Sequence, residues 1–181
     1  MLTLSKLNSK GNKMSIGIFY GTNGGATETI AEKINVALGL KVDMNDIADV
    51  DMNKFDEYDK IIIGTSTWGE GDLQDDWDKC FDDFKNVDFS GKTVAFFGLG
   101  DQEGYEENFV DAMGTLHDAA VKNGAIVVGN GWIDDEYEYD DSTAEQEDGT
   151  FVGLAIDEDN QFDLTDTRIA KWVEIIKPSF T

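Results

Sequence analysis

The chain has 181 residues, of which 40% are hydrophobic, and 38 acidic against 14 basic side chains give a formal net charge of −24. This length predicts one domain with a buried core. The charge argues against nucleic acid and anionic membranes as partners and favours proteins with basic surfaces. The single cysteine, Cys80, excludes an internal disulfide and favours a reducing compartment, the cytoplasm. No apolar run approaches the ~20 residues of a membrane span.

The first thirteen residues differ in character from the rest of the chain. They contain three lysines, no acidic residue and several Ser and Asn residues. They lack the apolar segment of a secretory signal and are short for an organelle transit peptide. We therefore predict a disordered leader over residues 1–13 and one folded domain over residues 14–181. If the leader is the remnant of a targeting sequence, the expected location becomes the plastid stroma.

Strand and helix patterns alternate along the folded part. Near-continuous apolar runs are typical of strands covered on both faces, and we expect Pro178 to end the last helix. The pattern predicts an open parallel sheet with helices on both sides. The predicted strands are residues 15–20, 40–44, 60–65, 93–98 and 125–129. The apolar helix faces are predicted to be Ile30, Ala31, Ile34 and Leu38; Phe109, Met113, Leu116 and Ala120; and Ile169, Trp172, Val173 and Ile176.

One segment interrupts this alternation. Residues 134–148 contain nine acidic residues and no basic residue. Because the segment lies between the fifth predicted strand and the last helix, we interpret it as an acidic insertion within or beside that strand.

A loop of small and hydroxylated residues follows the first strand and leads into a helix. Free backbone N–H groups and the positive end of the helix dipole make such a loop an anion site. No Lys or Arg lies between Lys13 and Lys33, and Ala26 precedes Thr27 where a phosphoryl-transfer loop has Lys. The glycine spacing also fails the dinucleotide fingerprint. The loop therefore predicts a site for a monophosphate that anchors a ligand.

Two further loops each place one large aromatic residue among glycines and acids. Trp68 follows the third predicted strand and Tyr105 follows the fourth. In parallel sheets, ligands bind at the carboxyl ends of the strands, where these loops and the phosphate loop meet. Two flat side chains at this edge are suited to hold a flat ring between them.

These motifs together resemble a flavodoxin of the long-chain type, from residue 15 to about residue 180. The resemblance implies an α/β fold: a doubly wound, five-stranded parallel sheet of order 2-1-3-4-5, with helices on both faces and the acidic insertion at the fifth strand. The motifs that carry it are Tyr20-Gly21-Thr22 with Thr27-Glu28, Thr67-Trp68 with Gly71-Asp72-Leu73-Gln74, Gly98 with Gly100-Asp101-Gln102 and Gly104-Tyr105, and the run over residues 151–160.

The resemblance implies non-covalently bound FMN and assigns residues to each part of it. The ribityl chain is expected at Thr67 and Asp159, with Ser66 beside them. The Gly69–Glu70 peptide is expected to turn its carbonyl toward the flavin N5 on reduction. The phosphate is expected against Thr22, Asn23, Gly24, Gly25, Ala26 and Thr27. The isoalloxazine ring is expected between Trp68 and Tyr105, near Leu99, Gly100, Asp101 and Asn108.

The phosphate loop departs from the family pattern. The family usually has Thr or Ser where this chain has Gly24, and often a larger polar residue at Ala26. One lost hydroxyl donor to a phosphate costs on the order of 1 kcal/mol. We expect FMN to bind, but more weakly than in a relative with the hydroxyl. The alternative is that Gly24 adopts a positive φ, which would bring N–H groups closer.

The implied function is that of a low-potential one-electron carrier that cycles between semiquinone and hydroquinone. Carboxylates at the site, such as Asp101, oppose the negative charge of the reduced ring. The expected partners are redox proteins with basic docking faces: a flavoprotein like ferredoxin-NADP reductase, photosystem I or another low-potential acceptor. We expect a monomer.

No nucleophile–base pair indicates an enzyme. The only histidine, His117, is expected at the surface, and carboxylates beside Cys80 are expected to raise its pKa. An FMN-dependent NAD(P)H:quinone reductase on the same fold remains the alternative. A Ca²⁺ module is disfavoured because Phe162 stands where the EF-hand loop needs Gly, and a response regulator because no acidic cluster follows the first strand. No metal site is predicted.

Overall fold

Seven strands form one sheet in the computed structural model, which describes residues 15–181. The predicted leader over residues 1–13 lies outside the described residues. The strands are β1 (Ile16–Tyr20), β2 (Val42–Asp46), β3 (Lys60–Trp68), β4 (Asp72–Leu73), β5 (Thr93–Leu99), β6 (Ile126–Val127) and β7 (Leu154–Ile156). The helices are α1 (Ala26–Leu38), α2 (Asp75–Phe84), α3 (Asp111–Lys122) and α4 (Thr165–Phe180), with 3-10 turns at Met52–Glu57 and Phe162–Leu164.

The main strands are parallel and lie in the order β2-β1-β3-β5, followed by β6 and β7. Both β6 and β7 pair with β5: Thr93 is opposite Ile126, and Phe97 is opposite Leu154. The two short strands thus fill one position in the sheet, and the acidic segment 134–148 lies between them in the chain. With that position counted once, the predicted order 2-1-3-4-5 is confirmed.

Successive side chains of a strand point to opposite faces of the sheet. Because all five residues of β1 are buried, both faces must be covered. In β1, the Phe19 ring stacks on Phe55, with 3.9 Å between ring centroids, and Phe55 in turn meets Phe84 of α2. The next residue, Tyr20, donates a hydrogen bond to Glu28 of α1 on the other face. All predicted apolar helix faces are buried.

Several predicted element bounds were wrong. The strand predicted over residues 125–129 has only two residues, because the chain turns away at Gly129, where φ is +75°. The second strand begins two residues later than predicted, after Gly39 ends α1 in the left-handed region. β3 continues three residues beyond the prediction because Thr67 and Trp68 pair with β4 in a short antiparallel hairpin.

Pro178 does not end the last helix, contrary to the prediction. α4 continues to Phe180 and contains Pro178 in its final turn. The missing N–H of Pro178 removes only one helical hydrogen bond so close to the end, where the backbone frays in any case. Within residues 15–181, no helix has both the length and the apolar character that crossing a membrane requires.

Candidate functional site

A cavity of about 330 Å³ opens at the carboxyl ends of β1, β3 and β5, where the three predicted loops meet. Fourteen of the seventeen predicted site residues line it, and Glu158 is the one further residue. The lining residues are Thr22, Asn23, Gly24, Ala26, Thr27, Ser66, Thr67, Trp68, Gly69, Leu99, Gly100, Asp101, Tyr105, Glu158 and Asp159.

The first end of the cavity is formed by the N-terminus of α1. Gly25 precedes the helix with φ of +89°, and its N–H donates to the Thr22 hydroxyl at 2.9 Å. Within residues 15–181, the N–H groups of Gly24, Ala26 and Thr27 donate to no protein acceptor. Free N–H groups at a helix N-terminus are suited to bind an anion.

The alternative of a positive φ at Gly24 was wrong, because the positive φ belongs to Gly25. A Cβ on Gly24 would meet no atom within 4 Å, so Gly24 leaves open space at the loop. Neither the backbone nor the packing of the described residues requires glycine there. The departure from the family pattern is therefore a loss of a hydroxyl group without a conformational gain.

Hydroxyl groups line the middle of the cavity. The Thr27 hydroxyl, on α1, lies 3.3 Å from the Ser66 hydroxyl on β3. The Thr67 hydroxyl accepts a hydrogen bond from the N–H of Ala112 at 3.0 Å, at the start of α3. Its own proton therefore remains available to a ligand, since a hydroxyl both donates and accepts.

Trp68 and Tyr105 line the other end, and each is 49% exposed. Among the described residues, neither ring packs against another aromatic ring. Trp68 ends β3, and the hairpin behind it contains Gly69 at φ +49° and Gly71 at φ +91°. Two rings that the fold leaves half exposed at one cavity can take up a flat aromatic ligand.

The carboxylates at the cavity have different environments. Asp101 accepts hydrogen bonds from the N–H of Gly104 and from the Asn160 side chain, and these lower its pKa. Burial raises the pKa of Asp159, and the neighbouring charges of Asp101, Asp157 and Glu158 add to that effect. No Lys or Arg of residues 15–181 lines the cavity. The electrostatic potential is therefore negative in the part of the cavity that these carboxylates line.

Three predicted site residues do not line the cavity. The N–H of Gly25 is held by Thr22, and Glu70 lies at the tip of the hairpin. Asn108 instead donates to Asp111 at 2.9 Å, at the start of α3. Glu158 was not among the predicted site residues, although it directly precedes Asp159 in the run over residues 151–160 that carries the resemblance.

Cys80 and His117 lie outside the cavity. Burial, more than the carboxylates that we had expected, raises the pKa of Cys80 to about 11. His117 is less exposed than predicted: its side chain is 16% exposed, and the ring packs edge-on against Phe96. Neither residue is placed to act on a ligand in the cavity.

Comparison with known proteins identifies the family. Residues 18–172 match the flavodoxin family model. A flavodoxin of Picosynechococcus sp. is 49% identical over 91% of this chain and 97% of its own length, and one of Haemophilus influenzae is 45% identical over 89% and 92%. The crystal structure of Fusobacterium nucleatum flavodoxin bound to flavin mononucleotide has a TM-score of 0.86 and 32% identity, covering 92% of this chain and 99% of that one. The chain belongs to the flavodoxin family.

Proposed function

We propose that this chain binds FMN in the cavity and carries single electrons between redox proteins. The observation that carries the proposal is the cavity itself, which has free N–H groups of the α1 N-terminus at one end and half-exposed Trp68 and Tyr105 at the other. These ends suit a phosphate and a flat ring. The flavodoxin of Fusobacterium nucleatum binds the same cofactor.

The residues at the cavity fit the parts of FMN. The loop over residues 22–27 holds the phosphate through N–H groups and the hydroxyls of Thr22 and Thr27. Thr67 and Asp159 meet the ribityl chain, and Trp68 and Tyr105 cover the ring. Bound FMN supplies the one-electron chemistry, while the protein sets its orientation and potential. We therefore keep the seventeen predicted residues as the proposed FMN site. Fourteen of them line the cavity, and Gly25, Glu70 and Asn108 lie beside it.

The partners are redox proteins whose docking faces are basic. The net charge of −24 steers this chain toward such faces, at rates that fall with salt. A flavoprotein like ferredoxin-NADP reductase suits the donor side, and photosystem I or another low-potential acceptor suits the other side. The carrier acts as a monomer in the cytoplasm, or in the plastid stroma if residues 1–13 derive from a targeting sequence.

An anaerobic reductive titration of the FMN-loaded protein tests the function. A one-electron carrier takes up its two electrons in separated steps, and it does not oxidise NAD(P)H unless a reductase is added. A single two-electron step, together with direct NAD(P)H oxidation, would favour the quinone reductase. Failure of the apoprotein to bind FMN would reject both functions.

Gly24→Thr is expected to tighten FMN binding by about fivefold, on the order of 1 kcal/mol. The open space at Gly24 admits the side chain, and the added hydroxyl donates to the phosphate. Fluorescence titration of apoprotein with FMN measures the effect, and riboflavin, which lacks the phosphate, serves as the control ligand. Unchanged or weaker FMN affinity would contradict the prediction.

Asp159→Asn is expected to make the midpoint potential of the second electron less negative. Asp159 lines the cavity, and its carboxylate accepts no hydrogen bond from the described residues, so the change removes a charge and leaves an amide oxygen that the ribityl chain can still contact. Two unit charges ~10 Å apart interact by ~1.7 kcal/mol at an effective dielectric near 20, and screening leaves an expected shift on the order of 50 mV. Spectroelectrochemistry measures it.

Asp59→Asn is the matched control for charge. Asp59 precedes β3 and is exposed, whereas Trp68 ends the same strand at the cavity. Nine residues of strand separate the two by about 30 Å, far beyond the screening length. Equal shifts in the two variants would show that net charge, and not the charge at the cavity, sets the potential.

A further inference from the structure

Gln74 is a fully buried amide that joins the start of α2 to the phosphate loop. Its Oε1 accepts from the N–H groups of Asp76 and Trp77 at 3.1 and 3.2 Å. Its Nε2 donates to Asn23 Oδ1 at 2.5 Å and to Asp76 Oδ2 at 2.9 Å. The amide thus uses both hydrogens and its oxygen, so every group that it buries has a partner.

This network fixes the orientation of two amides. The backbone N–H groups of α2 require an oxygen, so the NH₂ group of Gln74 must face Asn23. Asn23 must then present its own oxygen to Gln74, and its Nδ2 donates to Asp75 Oδ2 at 3.0 Å. A flipped Asn23 would place two NH₂ groups together and would set its oxygen against a carboxylate.

The contact links two parts of the candidate site. Asn23 lines the cavity within the phosphate loop, and Gln74 directly follows the hairpin that begins at Trp68. Gly21, which leads into the loop, has room for Gln74 only because it has no side chain: a Cβ there would lie 2.1 Å from Gln74 Oε1. Gln74 itself does not line the cavity.

We propose that Gln74 is a positioning residue for the phosphate loop, which it holds in its binding conformation by fixing Asn23. The proposal rests on FMN as the ligand of the cavity. Gln74 acts through Asn23 and does not itself line the cavity. Losing Gln74 is therefore expected to weaken binding of the phosphate and to leave binding of the flavin ring unchanged.

Gln74→Glu tests this role while it preserves the cap of α2. Glutamate keeps an acceptor for the N–H groups of Asp76 and Trp77, but it places a buried carboxylate against Asp76 Oδ2. We therefore expect the apoprotein to be less stable but still folded, which its thermal unfolding checks. It presents an oxygen to Asn23 Oδ1 in place of a donor. FMN affinity is expected to fall by about tenfold, while riboflavin affinity stays unchanged. In the apoprotein, the N–H of Gly25, which donates to the Thr22 hydroxyl, is expected to exchange faster.

The double variant Gln74→Glu with Asp75→Asn separates positioning from charge. It has the same net charge as the wild type, so it removes the repulsion that an added carboxylate exerts on the phosphate. Asn23 can then flip, donate to residue 74 and accept from the new amide at residue 75. The FMN affinity and the exchange rate of the Gly25 N–H are expected to return toward the wild-type values. Gln146→Met, at a part-buried glutamine outside the cavity, is the control for loss of a glutamine amide and is expected to leave FMN affinity unchanged.

Three results would overturn the proposal: unchanged FMN affinity in Gln74→Glu, an equal loss of FMN and riboflavin affinity, or no recovery in the double variant. Each presupposes a wild-type apoprotein that binds FMN. A wild type that binds neither flavin would instead reject the proposed function, so the two failures are distinguishable.

Discussion

Replacing Trp68 with Ala is expected to weaken FMN binding by about 2 kcal/mol, a roughly thirtyfold rise in Kd. The Trp68 side chain is 49% exposed and packs against no other aromatic ring of the described residues. About half of the surface of this residue is therefore still free for contact in the apoprotein. The substitution removes one wall of the cavity, and it removes little that stabilises the fold.

The thermal unfolding of apoprotein and FMN-loaded protein checks both parts of this prediction. The apoprotein midpoint is expected to be nearly unchanged, while the additional stability that FMN gives is reduced, since bound ligand stabilises in proportion to RT ln(1 + [L]/Kd). Trp68→Phe keeps a ring and is expected to recover part of the affinity. Phe162→Ala is the matched control, because Phe162 is 71% exposed but does not line the cavity. A similar loss of FMN affinity in Phe162→Ala would contradict the prediction that Trp68 contacts the flavin ring.

Local signals were sufficient to predict the parallel sheet and the loops that form most of the cavity wall, whereas the strand order and the individual FMN contacts came from the resemblance to flavodoxins. The apolar runs of β1, β3 and β5 mark buried strands, and in a parallel sheet the loops that follow them meet at one edge. Trp68 and Tyr105 follow two of these strands, so their presence at one cavity could be predicted without knowing any contact.

The remaining features depend on contacts between distant segments, which sequence spacing does not reveal. Gln74 and Asn23 are 51 residues apart, and their hydrogen bond depends on the path of the hairpin before α2. Which of the adjacent residues Gly24 and Gly25 has the positive φ depends on local backbone torsions that the sequence does not specify. Asn108 was assigned to the ring by resemblance, but its nearest partner is the Asp111 carboxylate.

Arg168→Met is expected to destabilise the fold by about 3 kcal/mol, which lowers Tm by roughly 6–12 °C for a chain of this length. The Arg168 side chain is 1% exposed. Its Nε donates to Asp134 at 2.9 Å, its Nη2 donates to Gln161 at 2.7 Å, and its guanidinium carbon lies 4.1 Å from the centre of the Tyr137 ring. Removing it leaves the Asp134 carboxylate, only 17% exposed, without its ion-pair partner.

The pH dependence of the lost stability shows whether Arg168 contributes by its charge or by its packing. Burial alone would raise the pKa of Asp134, but hydrogen bonds from Arg168 and from the N–H of Glu136 lower it overall. In the wild type, a lowered pKa gives stability that is present above the ordinary Asp pKa and is lost as pH falls through the folded value. In the variant, the hydrogen bond and the charge of Arg168 are lost, so the pKa of Asp134 rises and this contribution to stability is reduced. The difference in unfolding free energy between wild type and variant is therefore expected to be largest at pH 7 and to shrink toward pH 4.

Chemical denaturation at several pH values measures this difference, and Lys33→Met provides the control. Lys33 pairs with Asp166 at 2.7 Å, but the side chains are 41% and 82% exposed, so this pair contributes less than about 1 kcal/mol. A loss of stability in Arg168→Met that does not change with pH would mean that Arg168 contributes by packing on Tyr137 and not by its charge.

Because Arg168 holds both Asp134 and Gln161, it connects the start of the acidic segment to the loop that carries Glu158 and Asp159 into the cavity. The variant is therefore also expected to bind FMN more weakly, by a loss that riboflavin shares, in contrast to the phosphate-specific loss in Gln74→Glu.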